Sequence, residues 1–378
     1  MDVREPSRPV PASASGGLAP GAPVHLLFAA FVATMLAAAF SAPALYRALV
    51  QEDRLVEWGT VALFLLAGTI RFAAALRGRR AFDLLVALFC IFVAGEEISW
   101  GQRLLGLTPA EYFLEHNFQQ EANVHNFLDI FGRPKWILAG ALAGYGLLLP
   151  ALARTQRGGL LLSRLGATSP RLALAPWFAL AVLLLALYPV TYTGEWVEAL
   201  AGGLFLAASP VSAVGFWAGT GMACVAAAGL SVWSAAAADP DGRHTACAAA
   251  ESEALLRDLV SGSAARPPLA RAVSVHKRVY GAADAGYLDL QQASTFHGAG
   301  CEPGSGEAVA GRRRYAVDPW GMAYWVLSRE IDNGARRLVA VYSLGPNRLR
   351  DGAAGAGAGD DISAYIIIEA AAPRTASR

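Results

Sequence analysis

The chain has 378 residues, 55% of them hydrophobic and 16% charged, and 31 basic against 30 acidic side chains give a formal net charge of +1. This near-neutrality, with no basic run beside aromatics, excludes a nucleic-acid-binding surface of the electrostatic kind. The composition is also split: up to about Ser234, Ala, Leu, Val, Phe and Trp dominate, whereas from Ala235 acids and bases mix as in an ordinary soluble sequence.

Residues 1–23 are rich in Pro, Ala, Ser and Gly without periodicity, which predicts a disordered tail. The first apolar run, 25–40, is read as a retained membrane span. Ser-Ala-Pro-Ala after it resembles a cleavage site, but the tail before it is long and weakly basic for a signal peptide. Further spans are expected over 56–76, 82–100, 136–152 and 172–188. Glu195 and Glu198 then open an apolar stretch that runs to Trp233. It is too long for one crossing of a bilayer about 30 Å thick, and Ser209-Pro210 divides it into a sixth and a seventh span. Trp58, Trp100, Trp136 and Trp196 fall at expected span ends, as in an interfacial aromatic belt.

The basic residues orient the spans. Arg77-Gly78-Arg79-Arg80 and the loop carrying Arg154, Arg157, Arg164 and Arg171 predict cytoplasmic connections. With seven spans the amino terminus is then inside and the C-terminal part outside. The acidic and His-bearing clusters all fall on the outer side.

The stretch 95–126, GEEISWGQRLLGLTPAEYFLEHNFQQEANVHN, concentrates those clusters. Glu96 and Glu97 sit where the third apolar run ends, and charge near hydrocarbon costs about 3 kcal/mol per group unless it is paired or used. Ser99, Trp100 and Arg103 follow at helical spacings that predict a shared face with Glu96. The segment 108–131 is amphipathic, with Thr108 as cap ahead of Pro109 and Glu111, and is expected to lie on the membrane surface. In it Asn117, Glu121 and His125 recur at i, i+4, i+8, with His116 beside them. A Glu and a His four apart can hold one metal ion or share one proton. The candidate catalytic residues are therefore Glu96, Glu97, Glu121 and His125, and the candidate ligands of a divalent metal are Glu97, His116, Glu121 and His125. The alternative is that these are salt-bridged helix ends and one solvated helix face. Ser99 lacks the Gly-x-Ser-x-Gly setting of an esterase nucleophile.

In the C-terminal part, residues 251–260 and 268–280 are patterned as helices, and 315–327, 337–344 and 362–369 as strands, with an Ala/Gly loop over 352–359. Cys90 and Cys224 lie in apolar segments as packing residues. Cys247 and Cys301 could pair in an oxidising compartment. The fold class expected is an α-helical polytopic membrane bundle of about seven spans (24–234) followed by a small α+β soluble domain with an antiparallel sheet (235–378).

Three resemblances add to this. EDRLVEW (52–58), GEEISWGQR (95–103), NFQQEANVHN (117–126) and GEWVE (194–198) resemble an uncharacterised bacterial polytopic membrane family, which implies a multi-pass protein of the bacterial inner membrane. The acidic and His residues near one membrane face are also similar to membrane hydrolases of the alkaline ceramidase and progestin-receptor type, whose late HxxxH pair has no counterpart here. Asp318-Pro319-Trp320-Gly321, Tyr324, Tyr342-Ser343-Leu344-Gly345 and Asp360-Asp361-Ile362 resemble the C-terminal domain of type II secretion system protein G, the major pseudopilin. That likeness implies a periplasmic or otherwise extracytoplasmic domain and a calcium loop, carried over by position onto Leu344, Asn347, Asp360 and Asp361 with Asp351 nearby. Asn347-Arg348 and the inserted GAAGAGAG depart from the family pattern, and the pilin helix is missing. The functions these readings imply are an envelope assembly, secretion-related or sensing protein with an envelope or secretion-system partner, or else a metal-dependent membrane hydrolase or transferase acting on lipid. A transporter is disfavoured, because the acids gather at one face rather than at the midplane.

Overall fold

The apolar runs fold as helices, and the breaks between them follow proline, glycine and charge. The structure is a computed structural model that describes residues 21–51, 53–78, 80–105, 110, 113, 122–124, 134–239, 241–261, 275–278, 318–320, 324–346 and 361–369. α1 (Ala22–Ser41) carries a proline in its first turn, where the missing N–H costs no hydrogen bond. It thus begins inside the expected tail, whose residues 1–20 lie outside the described residues. After α2 (Pro43–Val50), α3 (Leu55–Gly78) and α4 (Ala81–Glu97) pack on each other as a helical hairpin. A 3-10 turn, Ser99–Gly101, leads to the single turn α5 (Gln102–Leu105). α6 (Pro134–Ala143) and α7 (Leu149–Ala153) are joined through a π-helical turn, Gly144–Leu148. Then follow α8 (Gln156–Arg164), α9 (Ala175–Leu187), α10 (Thr193–Ala208) and α11 (Ala213–Ala238).

Among the described residues, four helices are long and apolar enough to cross a membrane: Ala22–Ser41, Leu55–Gly78, Lys135–Ala153 and Ala213–Ala237. The seven crossings expected from the apolar runs are not supported. α4 and α10 have 17 and 16 residues, a rise of about 24–26 Å against a hydrocarbon layer of about 30 Å. Leu172–Leu187 is likewise a shorter apolar helix. Hydropathy overran the helices: the expected third span included Ser99 and Trp100, where the backbone has already left the helix.

The chain packs as two units. The first takes in Met1–Val50, Arg54–Ile98 and Leu128–Ser231; the second takes in Gln51–Asp53, Ser99–Phe127 and Val232–Arg378. In the first, α10 is the central helix. It is buried over nearly its whole circumference, from Trp196 through Ala208, as expected of a helix apolar on all sides. Small residues let it approach α3: a Cβ on Gly202 would stand 2.9 Å from Leu63 Cβ.

One end of this unit is tied by a buried guanidinium. Arg71 and Asp83 are 3% and 2% exposed and form an ion pair at 2.6 Å. The remaining donors of Arg71 reach Thr168 Oγ1 (3.0 Å), the Tyr145 hydroxyl (2.6 Å), Ser209 Oγ (3.3 Å) and the carbonyl of Ala208. Thr168 Oγ1 also donates to Asp83 at 3.0 Å. A guanidinium has five N–H donors, and here each has an acceptor. The end of α3, the start of α4, the end of α10 and the π-turn residue Tyr145 therefore meet at one point.

In the second unit, α12 (Arg243–Ser261) packs on a four-stranded antiparallel sheet of order β1-β2-β3-β4. The strands are β1 (Val275–Arg278), β2 (Trp325–Ile331), β3 (Arg336–Ser343) and β4 (Ile362–Glu369). Leu255, Leu256 and Leu259 of α12 meet Tyr324, Val326, Val339 and Val341 in its core. Residues 275–278 are a strand paired with 325–328, where a helix over 268–280 was expected. The strand expected from 315 begins at Trp325, because Asp318 and Trp320 form a turn: Asp318 Oδ1 accepts the Trp320 N–H at 3.0 Å. Asp318 Oδ2 accepts from Ser343 Oγ at 2.5 Å, and Ser343 Oγ accepts from Gly345 N at 3.0 Å. The turn 318–320 and the end of β3 are thus one hydrogen-bonded unit.

Candidate functional site

The opposite end of the first unit gathers carboxylates. Because the end of α3, the start of α4 and the end of α10 meet at Arg71, the start of α3, the end of α4 and the start of α10 share the other end. Each delivers acid there: Glu57 in the first turn of α3, Glu96 and Glu97 in the last turn of α4, and Glu195 and Glu198 at the start of α10. Glu97, Glu195 and Glu198 place ligand oxygens all within 4.8 Å of one another, and all three are half-buried. Glu57 and Glu96 are buried.

The local sequence explains why α10 presents its acids there. Tyr188 and Tyr192 take left-handed conformations on either side of the Pro-Val-Thr turn, and Thr193 Oγ1 donates to the Val190 carbonyl at 2.5 Å. Tyr46 of α2 clamps the turn: its hydroxyl donates to the Thr191 carbonyl at 2.7 Å and accepts from Trp196 Nε1 at 3.1 Å. Burial pushes this hydroxyl up to about 12, so it remains a donor at any physiological pH. Trp196 is fully buried and Trp58 is 3% exposed. Both are core residues rather than members of an aromatic belt, whereas Trp100 and Trp136 are exposed.

Three carboxylates this close repel one another, which favours a proton or a cation held among them. The donor set is all oxygen, which matches hard divalent ions such as magnesium, calcium or manganese rather than a soft, thiolate-seeking metal.

Of the residues expected to form the site, Glu96 and Glu97 lie at this end. His116, Asn117, Glu121 and His125 lie outside the described residues. Glu195 and Glu198 were not among the expected ligands, although the acids that open the sixth span are expected on the same outer side as Glu97. The signal that could have found them is the GEWVE sequence, two acids three apart at the start of an apolar helix on the same side as Glu97. The expected helical face linking Glu96 to Ser99 and Trp100 does not exist: Ser99, Trp100 and Gly101 have φ of 46°, 54° and 81°. Two successive non-glycine residues in this region cost about 1–2 kcal/mol each. Ser99 is buried and its Oγ accepts from Asn123 Nδ2 at 3.0 Å; Gln102 Oε1 accepts from Ala122 N at 2.7 Å. The SWGQ turn of the second unit thereby holds the Ala-Asn of the downstream motif.

Of the expected calcium loop, Asn347, Asp351 and Asp360 lie outside the described residues. Leu344 and Asp361 are the next residues on each strand beyond the terminal pair Ser343↔Ile362 of the β3–β4 ladder, so the hairpin brings the two ends of the loop side by side. Cys247 is disulfide-bonded, to a partner outside the described residues, while Cys90 and Cys224 are free. No family model, no curated protein and no solved structure matches the chain.

Proposed function

We propose that the chain is a multi-pass membrane protein that holds a divalent cation on Glu97, Glu195 and Glu198 and carries its C-terminal α+β domain on the oxidising side of the membrane, as an envelope assembly or sensing protein. The observation that carries this reading is the convergence of three carboxylates from two helices at one end of an otherwise apolar bundle. Such groups are costly beside hydrocarbon unless something neutralises them. The separation of charge along the bundle supports the orientation. Asp83 and Thr168 meet at the Arg71 end, so Arg77 and Arg80 and the arginines between α7 and α9 lie there, away from the acids, as the positive-inside rule requires. The disulfide at Cys247 supports an oxidising compartment for the second unit, by an argument that does not depend on the number of spans.

The likeness to the pseudopilin domain gives the second unit its role, a contact with an envelope or secretion-system protein, with calcium closing the loop between Leu344 and Asp361. The bonded path Asp318–Ser343–Gly345 supports it, because it fixes the β3 end of that loop. Elemental analysis of the purified full chain, before and after chelation, tests the cation site. One magnesium, calcium or manganese ion per chain, lost on Glu195→Gln with Glu198→Gln, is the expected result. Protein that folds, carries no divalent metal and takes none up would overturn the proposal.

A further inference from the structure

The connection between α7 and α9 carries Arg154, Arg157, Arg164 and Arg171, and no Asp or Glu occurs anywhere between Pro134 and Gly194. Within it α8 is a regular helix: Thr155 caps it, its hydroxyl accepting from Gly158 N at 3.0 Å. One side of α8 is fixed to the protein. Leu162 is buried, and Gly158 fits so closely that a Cβ there would stand 2.3 Å from the Leu152 carbonyl. The other side is open. Arg157, Leu160, Leu161 and Arg164 stand at i, i+3, i+4 and i+7 and so share a face, and all four are exposed, as are Arg154 and Leu165. Leu160, Leu161 and Leu165 are 55%, 50% and 64% exposed, which bulk water would disfavour.

Three further observations say what covers this face. The helix lies between Lys135–Ala153 and Leu172–Leu187, both apolar enough to sit in hydrocarbon. Thr168, in the same connection, meets Arg71 and Asp83, which places the exposed Arg77 and Arg80 at the same end of the unit. Finally, Arg171, in the same connection, has a buried Nε with no acceptor among the described residues, so no protein group is seen to neutralise the positive charge there.

We propose that α8 lies in the membrane interface and binds anionic phospholipid, with Leu160, Leu161 and Leu165 entering the acyl boundary and Arg154, Arg157 and Arg164 engaging lipid phosphates. Long cationic side chains beside leucine can lie along the interface with their heads at phosphate level, and a guanidinium grips a phosphate through paired N–H donors. Juxtamembrane arginines with no acid to neutralise them are the pattern that anionic leaflets attract. This inference rests on the membrane reading above.

The experiment uses the full chain. Carbonate washing of membranes comes first, because release of the protein would overturn the membrane reading itself. Detergent-purified protein is then melted with added phosphatidylglycerol or phosphatidylcholine. Phosphatidylglycerol should raise the melting temperature above that in phosphatidylcholine. The difference should vanish in R154Q/R157Q/R164Q, persist in R154K/R157K/R164K, and shrink in 0.5 M salt by screening, on the scale of a Debye length of a few Å. If the triple Gln variant does not fold, R157Q and R164Q singly decide by the same comparison, each reducing the difference. Equal shifts with both lipids, a preference that survives the Gln substitutions, or the same shift from glycerol phosphate alone would overturn the proposal.

Discussion

Replacing Arg71 by Met removes the one cation at the centre of a saturated polar cluster. Asp83, 2% exposed, would keep the Thr168 hydroxyl at 3.0 Å and a distant Arg80 at 3.9 Å. Tyr145 and the Ala208 carbonyl at the end of α10 would lose the donor they now share. Breaking a buried ion pair by removing one partner costs about 3–5 kcal/mol, whereas removing both charges is often close to neutral. For a unit of this size about 2–4 °C of melting temperature is lost per kcal/mol, so Arg71→Met should lower it by roughly 6–20 °C. Asp83→Asn alone should also destabilise, since it leaves the guanidinium buried without its counter-charge. The double variant should be more stable than the sum of the two losses allows, by about 1–3 kcal/mol. Intrinsic-fluorescence melting of the detergent-purified chain measures all three. A single Arg71→Met variant that melts within about 1 °C of the parent, or losses that simply add, would refute the account of this end of the bundle.

Cys247→Ser should remove a non-reducing gel-mobility difference and destabilise the second unit by about 2–4 kcal/mol; identical mobility with and without reductant in the parent would contradict the disulfide. Tyr46→Phe loses both hydrogen bonds that hold the Thr191 turn and Trp196, a cost of about 1–3 kcal/mol, and should weaken divalent-metal binding in parallel; unchanged melting and metal affinity would remove Tyr46 from the clamp. Asp239 caps α12: burial opposes its charge, but hydrogen bonds from Thr245 and from the His244 N–H hold its carboxyl below the usual carboxylate range. Because the folded value is depressed, its contribution is present above the ordinary carboxylate pKa of about 4 and is lost as pH falls through the folded value. Asp239→Ala should therefore cost about 1 kcal/mol at neutral pH and progressively less in acid, read from melting curves at each pH; an equal cost at all pH values would contradict the charged cap.

What the sequence made legible was periodicity and charge placement. Apolar runs gave helices, ISAYIIIE gave β4, and the segregation of arginines from acids gave the two ends of the first unit. Contacts between residues distant in the chain were not legible. Arg71 and Asp83 each lie inside an apolar run and look like isolated interruptions, although an ionisable residue in such a run is itself a sign of a partner. Charge placement puts Glu97, Glu195 and Glu198 on one side, but that these three reach ligand distance of one another is set by the packing of helices far apart in sequence, whereas ligand-spacing rules search within one helix. The left-handed Ser99 and Trp100 carry no turn residue except the following Gly101, so the helix was extended past its end. β1 departs from its local helical pattern because pairing with β2, some fifty residues on, overrides the preference of four residues. Residue type alone places Trp58 and Trp196 at an interface, and packing instead uses them as core.

The measurement that bears most directly on the central claim is a manganese titration of the purified, chelator-stripped full chain in weakly buffered solution, with bound metal read by electron paramagnetic resonance and released acid by a pH indicator. The proximity of Glu97, Glu195 and Glu198 favours a proton held among them when no cation is bound, and a metal must displace it before all three carboxylates can act as ligands. One saturable site per chain, release of about one proton on filling it, and loss of both signals in Glu198→Gln are expected. Failure to saturate, or saturation with no proton released and no change in Glu198→Gln, would contradict the cation site.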